Sequence, residues 1–161
     1  MAASGGKSEE HGAVTREELI AGLNEDLARE YQAIIAYVVY SQVLKGAEYM
    51  NIAGELEVHA AQELKHAIAI SNQIDYFGGT PTVHPKPVKE AKDNKEMLHA
   101  DLNNENETIR NYRLRVTQCD EIGEYATAEL IRSILVEEQD HQIALATALG
   151  IEVPRVGISK P

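Results

Sequence analysis

The chain is expected to fold as an all-α four-helix bundle with a long crossover between the second and third helices. Three observations predict it. Apolar residues recur at alternating steps of three and four through four separate stretches, the spacing of helices that bury one face. A proline- and glycine-rich run divides the four stretches into two pairs. Each pair carries the same motif: Glu30 lies 33 residues before Glu63-Leu64-Lys65-His66, and Glu105 lies 33 residues before Glu138-Gln139-Asp140-His141.

Composition bounds the answer. With 161 residues and 43% hydrophobic content, one domain can bury a substantial core. A net charge of −11 favours cations over phosphate, so no nucleic-acid partner is expected. The single cysteine, Cys119, rules out an internal disulfide and a thiolate-rich metal site, and it fits a reducing compartment. No stretch reads as a membrane span or a secretory leader, so the expected location is the cytoplasm and no membrane partner is expected.

Residues 1–14 are small and polar and are expected to form a flexible tail. Thr15, with Glu18 three residues on, is a capping box that opens the first helix. Its inward stripe reads Ile20, Leu23, Leu27, Glu30, Ile34, Tyr37, Ser41 and Leu44. Gly46 stops it. The second helix begins near Met50, with the stripe Ile52, Leu56, His59, Glu63, His66, Ile70, Gln73 and Phe77. The run from Gly78 through Pro81, Pro85 and Pro87 breaks any helix and is long enough for a crossover. Asp93 is the expected N-cap of the third helix, whose stripe is Leu98, Leu102, Glu105, Ile109, Tyr112, Val116 and Cys119. After a turn at Gly123 the fourth stripe is Thr127, Ile131, Ile134, Glu138, His141, Leu145 and Ala148, ending at Gly150. The bundle thus spans residues 15–149. Residues 150–161 form a C-terminal extension whose Pro154, Gly157 and Pro161 argue against a fifth helix.

Six ionisable groups, Glu30, Glu63, His66, Glu105, Glu138 and His141, fall where the stripes demand core residues. An unpaired buried carboxylate costs several kcal/mol, and a small domain has only about 5–15 kcal/mol to lose. Bound cations or protons must offset that cost. On a helix, Glu and His three apart project from one face, so each Glu-x-x-His step can serve one metal region. Carboxylates suit hard cations and can bridge two of them, and imidazole completes a site without thiolate, so iron and manganese both fit. The expected division gives His66 to one metal and His141 to the other, with Glu63 and Glu138 bridging and Glu30 and Glu105 terminal. His59 shares the second stripe and reads as a ligand, an accessory site or a core histidine. Tyr37 and Tyr112 each follow a terminal glutamate by seven residues, about 10 Å along a helix. Either could donate an electron, hydrogen-bond a ligand or simply fill the core. Glu137, Glu55, Glu57 and Glu107 point off the stripes and read as a solvated or cavity-facing surface.

The segments from Glu30-Tyr31 to Tyr37, Glu63 to Ala67, Asp101 to Glu105 and Glu137 to His141 resemble the ligand helices of bacterioferritin and its Dps-like ferritin relatives. The resemblance covers about Thr15 to Leu149. It implies a ferroxidase with two iron ions per subunit, acting on ferrous iron with O2 or H2O2 and storing ferric product in a homo-oligomeric shell. Leu64 stands where bacterioferritin carries its haem-ligating methionine, so no haem is expected. The proline-broken tail favours a dodecamer over a larger cage. The alternative is a non-storing enzyme on the same site, a peroxidase or a manganese catalase.

Overall fold

The computed structural model describes residues 13–157. The tail expected over residues 1–14 therefore lies, apart from Ala13 and Val14, outside the described residues, as do the last four residues of the extension. Among the described residues four helices make up the fold: α1 (Arg16–Val43), α2 (Met50–Tyr76), α3 (Asn94–Glu121) and α4 (Tyr125–Leu149), with one 3-10 turn (Ala47–Tyr49) leading into α2. Among the described residues no helix is long and apolar enough to cross a membrane.

The helix ends follow local chemistry. Thr15 Oγ1 accepts from the Glu18 amide at 3.1 Å while Glu18 returns a bond to the Thr15 amide at 2.8 Å, completing the expected capping box. Asp93 caps α3 by accepting from the Glu96 amide at 2.9 Å. Gly150, at φ 67°, supplies the left-handed residue that closes α4.

α1 packs along α2 and α3 along α4, and contacts between α1 and α3 and between α2 and α4 close the ring. Residues 77–93 carry the chain from the end of α2 to the start of α3. This crossover lies along α1, held there by Asn24 accepting from the Thr82 amide at 2.7 Å and by the Lys86 amide donating to Ala28 O at 2.9 Å. Tyr40 reaches the Lys89 carbonyl further on. The crossover is thus bonded along its length, which sets which end of the bundle α3 starts from.

The apolar core has two parts. One holds Leu19, Leu23, Leu27, Ile70, Ile74, Phe77, Ile131 and Ile134; the other holds Tyr40, Ile52, Leu56, Leu98, Leu102 and Leu145. Between them α1 contributes Glu30, α2 His59 to His66, α3 Glu105 and α4 Glu138 to His141, so the polar groups form a layer across the middle. The stripes need small corrections. Ala148 is exposed, and Ile20, Ile34, Gln73 and Val116 are only half-buried, whereas Leu19 and Ile74 are sealed. A helix of 3.6 residues per turn drifts against a strict three-and-four repeat, so the buried face slides by one residue toward the ends.

Candidate metal centre

The structure brings all six expected groups into that polar layer. Glu30, Glu63, His66, Glu105, Glu138 and His141 are each at most 4% exposed. They form two overlapping quartets, Glu30–Glu63–His66–Glu138 and Glu63–Glu105–Glu138–His141, and within each the donor atoms lie within 4.8 Å of one another. Glu63 and Glu138 belong to both. His66 Nδ1 sits 2.9 Å from Glu63, 3.3 Å from Glu138 and 3.5 Å from Glu30. His141 Nδ1 sits 3.0 Å from Glu63, 3.2 Å from Glu138 and 3.8 Å from Glu105. Both imidazoles therefore turn the same nitrogen toward the carboxylates, and the Glu-x-x-His spacing keeps each pair on one helix face.

The outer carboxylates are each held by one oxygen. Tyr37 donates to Glu105 Oε1 and Tyr112 donates to Glu30 Oε1. Glu30 Oε2, Glu105 Oε2, Glu63 Oε1, both oxygens of Glu138 and Nδ1 of His141 make no hydrogen bond. Several of these atoms approach one another closely enough to attract as ions, but without the alignment a hydrogen bond requires. Five carboxylate oxygens and one imidazole nitrogen without partners, facing one another in a buried layer, are the pattern of a cation site.

The electrostatics agree. Burial raises the carboxyls of Glu30 and Glu105 well above their usual range, and the neighbouring carboxylates push them further. Burial would also raise Glu63, but the adjacent His141 and His66 imidazoles hold it down at about 2. Burial works against a charged His66 and His141 too, yet their carboxylate partners outweigh it, raising His66 strongly and His141 to about 9. In the protein alone the layer favours protons on the two imidazoles and on the outer acids. Those protons occupy the place a pair of divalent ions would take.

The far ring nitrogens are also engaged. His66 Nε2 lies 3.2 Å from Glu137, and His141 Nε2 lies 2.9 Å from the Gln62 side-chain oxygen. Glu137, expected on a solvated or cavity-facing surface, is 43% exposed along its side chain, and its carboxylate also reaches inward to a site histidine. His59 lies outside both quartets. It stacks on His141 with ring centroids 4.0 Å apart, and burial together with the nearby His141 lowers it to about 4, so it is a neutral wall of the site. Tyr37 meets His59 edge-on at 5.4 Å.

Some buried polar groups escaped the sequence reading. Asp101, one turn before Glu105, is 2% exposed and burial raises its carboxyl well above the usual range. Asp26 and Arg115 form a buried pair at 2.7 Å between α1 and α3. Both carboxylates lie one turn from a site glutamate, and that spacing was the available signal. Cys119 is fully buried in the apolar core, away from both quartets. A crevice too narrow to hold a water molecule reaches Glu30, Glu63, Glu105 and Glu138 from the α1–α3 side, past Arg29, Ala33, Asn104 and Thr108.

A four-helix ring with one long crossover, carrying two carboxylate–histidine quartets that share two glutamates, defines a ferritin-like bundle protein. The ferritin-like domain family matches residues 20–152. Bacterioferritin of Brucella melitensis biotype 1 is 28% identical over 135 residues, covering 83% of this chain and 84% of that one. Bacterioferritin of Desulfovibrio desulfuricans is 30% identical over 125 residues, covering 77% and 70%. Among solved structures, a ferritin-like, diiron-carboxylate protein from Bacillus anthracis str. Ames superposes with a TM-score of 0.80 at 34% identity, covering 83% of this chain and 96% of that one. The chain belongs to the ferritin superfamily, in its bacterioferritin branch.

Proposed function

We propose that the protein is a ferroxidase that oxidises ferrous iron at a two-ion centre inside each subunit and stores or detoxifies the ferric product in an oligomeric shell. The observation that carries this reading is the set of unpartnered carboxylate oxygens in two quartets sharing Glu63 and Glu138. Oxygen donors with one imidazole per position suit Fe2+ and also Mn2+. In this reading Glu63 and Glu138 bridge, Glu30 and His66 complete one position, and Glu105 and His141 complete the other. Two ferrous ions give up one electron each, matching the two electrons that reduce O2 to H2O2, or H2O2 to water, with two protons taken up. The similarity to bacterioferritins and to a ferritin-like, diiron-carboxylate protein supports iron as the ion.

The shell rests on a different observation. α1 exposes Ile35, Val38, Val39 and Val43, and α2 exposes Val58, Leu64 and Ile68. Apolar stripes of this kind on a packed helix pair suit burial against further copies. Among the described residues, those after Gly150 form no helix, which supports a twelve-subunit shell. Leu64 has no thioether to offer a haem, and the acidic surface fits a cytoplasmic protein that gathers cations.

Loading purified apo-protein with Fe2+ under argon and then admitting air tests the reading. Ferric absorbance should rise, and a large particle by light scattering should acquire an electron-dense core. Rapid peroxide disproportionation with no mineral, or a monomer that turns over no iron, would overturn it.

A further inference from the structure

The residue immediately before each shared glutamate differs between the two halves of the chain. It is Gln62 before Glu63 and Glu137 before Glu138. Each reaches across the bundle to the histidine of the other half, Gln62 to His141 at 2.9 Å and Glu137 to His66 at 3.2 Å. The near two-fold arrangement of the centre is thus kept in geometry and broken in chemistry.

Both histidines turn Nδ1 toward the shared carboxylates, so a metal bound there leaves Nε2 to carry the ring proton and to donate it. Gln62 then presents its oxygen to that ring proton. A carboxylate accepting that proton draws it away from the ring and makes Nδ1 a stronger electron donor than an amide does. We infer that Glu137 and Gln62 are positioning residues that make the two metal positions unequal, the His66 position binding its ion first and more tightly and the His141 position filling second. Replacing such an outer partner of a metal-bound histidine typically changes affinity by about 10–100-fold, and the partial exposure of Glu137 places it near the lower end.

The inference rests on the ferroxidase reading and specifies the order in which its sites fill. The test uses Co2+ as a probe under argon, by calorimetric titration and by anomalous diffraction from crystals grown with one equivalent per chain. The native chain should show two steps separated by about tenfold, with cobalt at the His66 position. Gln62→Glu and Glu137→Gln should each bring the two steps together, and the double swap should restore two steps with cobalt now at the His141 position. A structural role alone would not reverse the order. Equal occupancy in the native chain, or an order unmoved by the swap, would overturn the inference and leave the ferroxidase reading intact. An apo-protein that binds neither Co2+ nor Fe2+ would overturn both.

Discussion

Tyr37 of α1 donates its hydroxyl to Glu105 of α3. Tyr112 of α3 returns the same bond to Glu30 of α1, so each tyrosine serves the glutamate of the opposite helix rather than the one seven residues before it. Each bond occupies one carboxylate oxygen and leaves the other free for the centre. Tyr37→Phe should therefore leave a buried oxygen of Glu105 without a donor, costing about 1–3 kcal/mol of apo-protein stability. Tyr112→Phe should cost a similar amount. Urea unfolding of the two variants measures this, and a cost confined to one of them would show that the two bonds are not equivalent.

Glu105→Gln should separate stability from metal binding. Burial raises the Glu105 carboxyl well above its usual range and so favours its neutral form, and a neutral amide of the same shape is expected to change apo-stability by less than about 1 kcal/mol. Native protein held at 100 times its metal dissociation constant should gain about 2.7 kcal/mol. In the variant most of that gain should vanish at the same Mn2+ concentration, as read by thermal melts with and without the ion.

The apo-protein should become less stable as pH rises above neutrality. His141 is raised from 6.5 to about 9 in the fold, so the native state holds a proton that the unfolded chain has already released. The stability this provides is complete below pH 6.5 and lost as pH climbs to about 9, an effect on the order of a few kcal/mol. His66 shifts in the same direction. A cation must displace these protons, so metal affinity should rise over the same interval. Melting temperatures from pH 6 to 9 should then fall for apo-protein and hold or rise with Mn2+ present. A flat apo profile would contradict the proton-filled layer.

Arg115→Met should destabilise the protein by about 3–5 kcal/mol, because it strips Asp26 of its main buried partner. Converting Asp26 to leucine in the same chain should recover much of the loss, since an apolar pair can replace a buried ion pair at little cost. The guanidinium also lies against Gly22, where an added Cβ would come within 1.9 Å of Arg115 Nη1. Gly22→Ala is thus expected to unseat it at a cost of about 1–3 kcal/mol, measurable by the same unfolding experiment.

The six groups of the centre were legible because each interrupts an apolar stripe at a core position, where nothing but a partner explains a charge. The crossover was legible from its prolines. Glu137 was not, because its backbone position faces off the stripe and only the length of the side chain brings its carboxylate to His66. Asp26, Asp101 and Arg115 escaped for a related reason. Periodicity treats each helix alone, and whether a flanking position is buried depends on the helix beside it. His59 stood on the stripe, but sequence could not separate a ligand from a ring stacked upon one, since both need burial at the same register.

The sharing of Glu63 and Glu138 reaches beyond chemistry to assembly of the chain. The α1–α2 hairpin carries three of the four donors of one quartet, the α3–α4 hairpin carries three of the other, and each lends the other its fourth. Neither hairpin can complete a coordination sphere in isolation. Ion uptake is therefore a report that the two halves have met in register, and a chain nicked within residues 77–93 should be held together by the ions themselves.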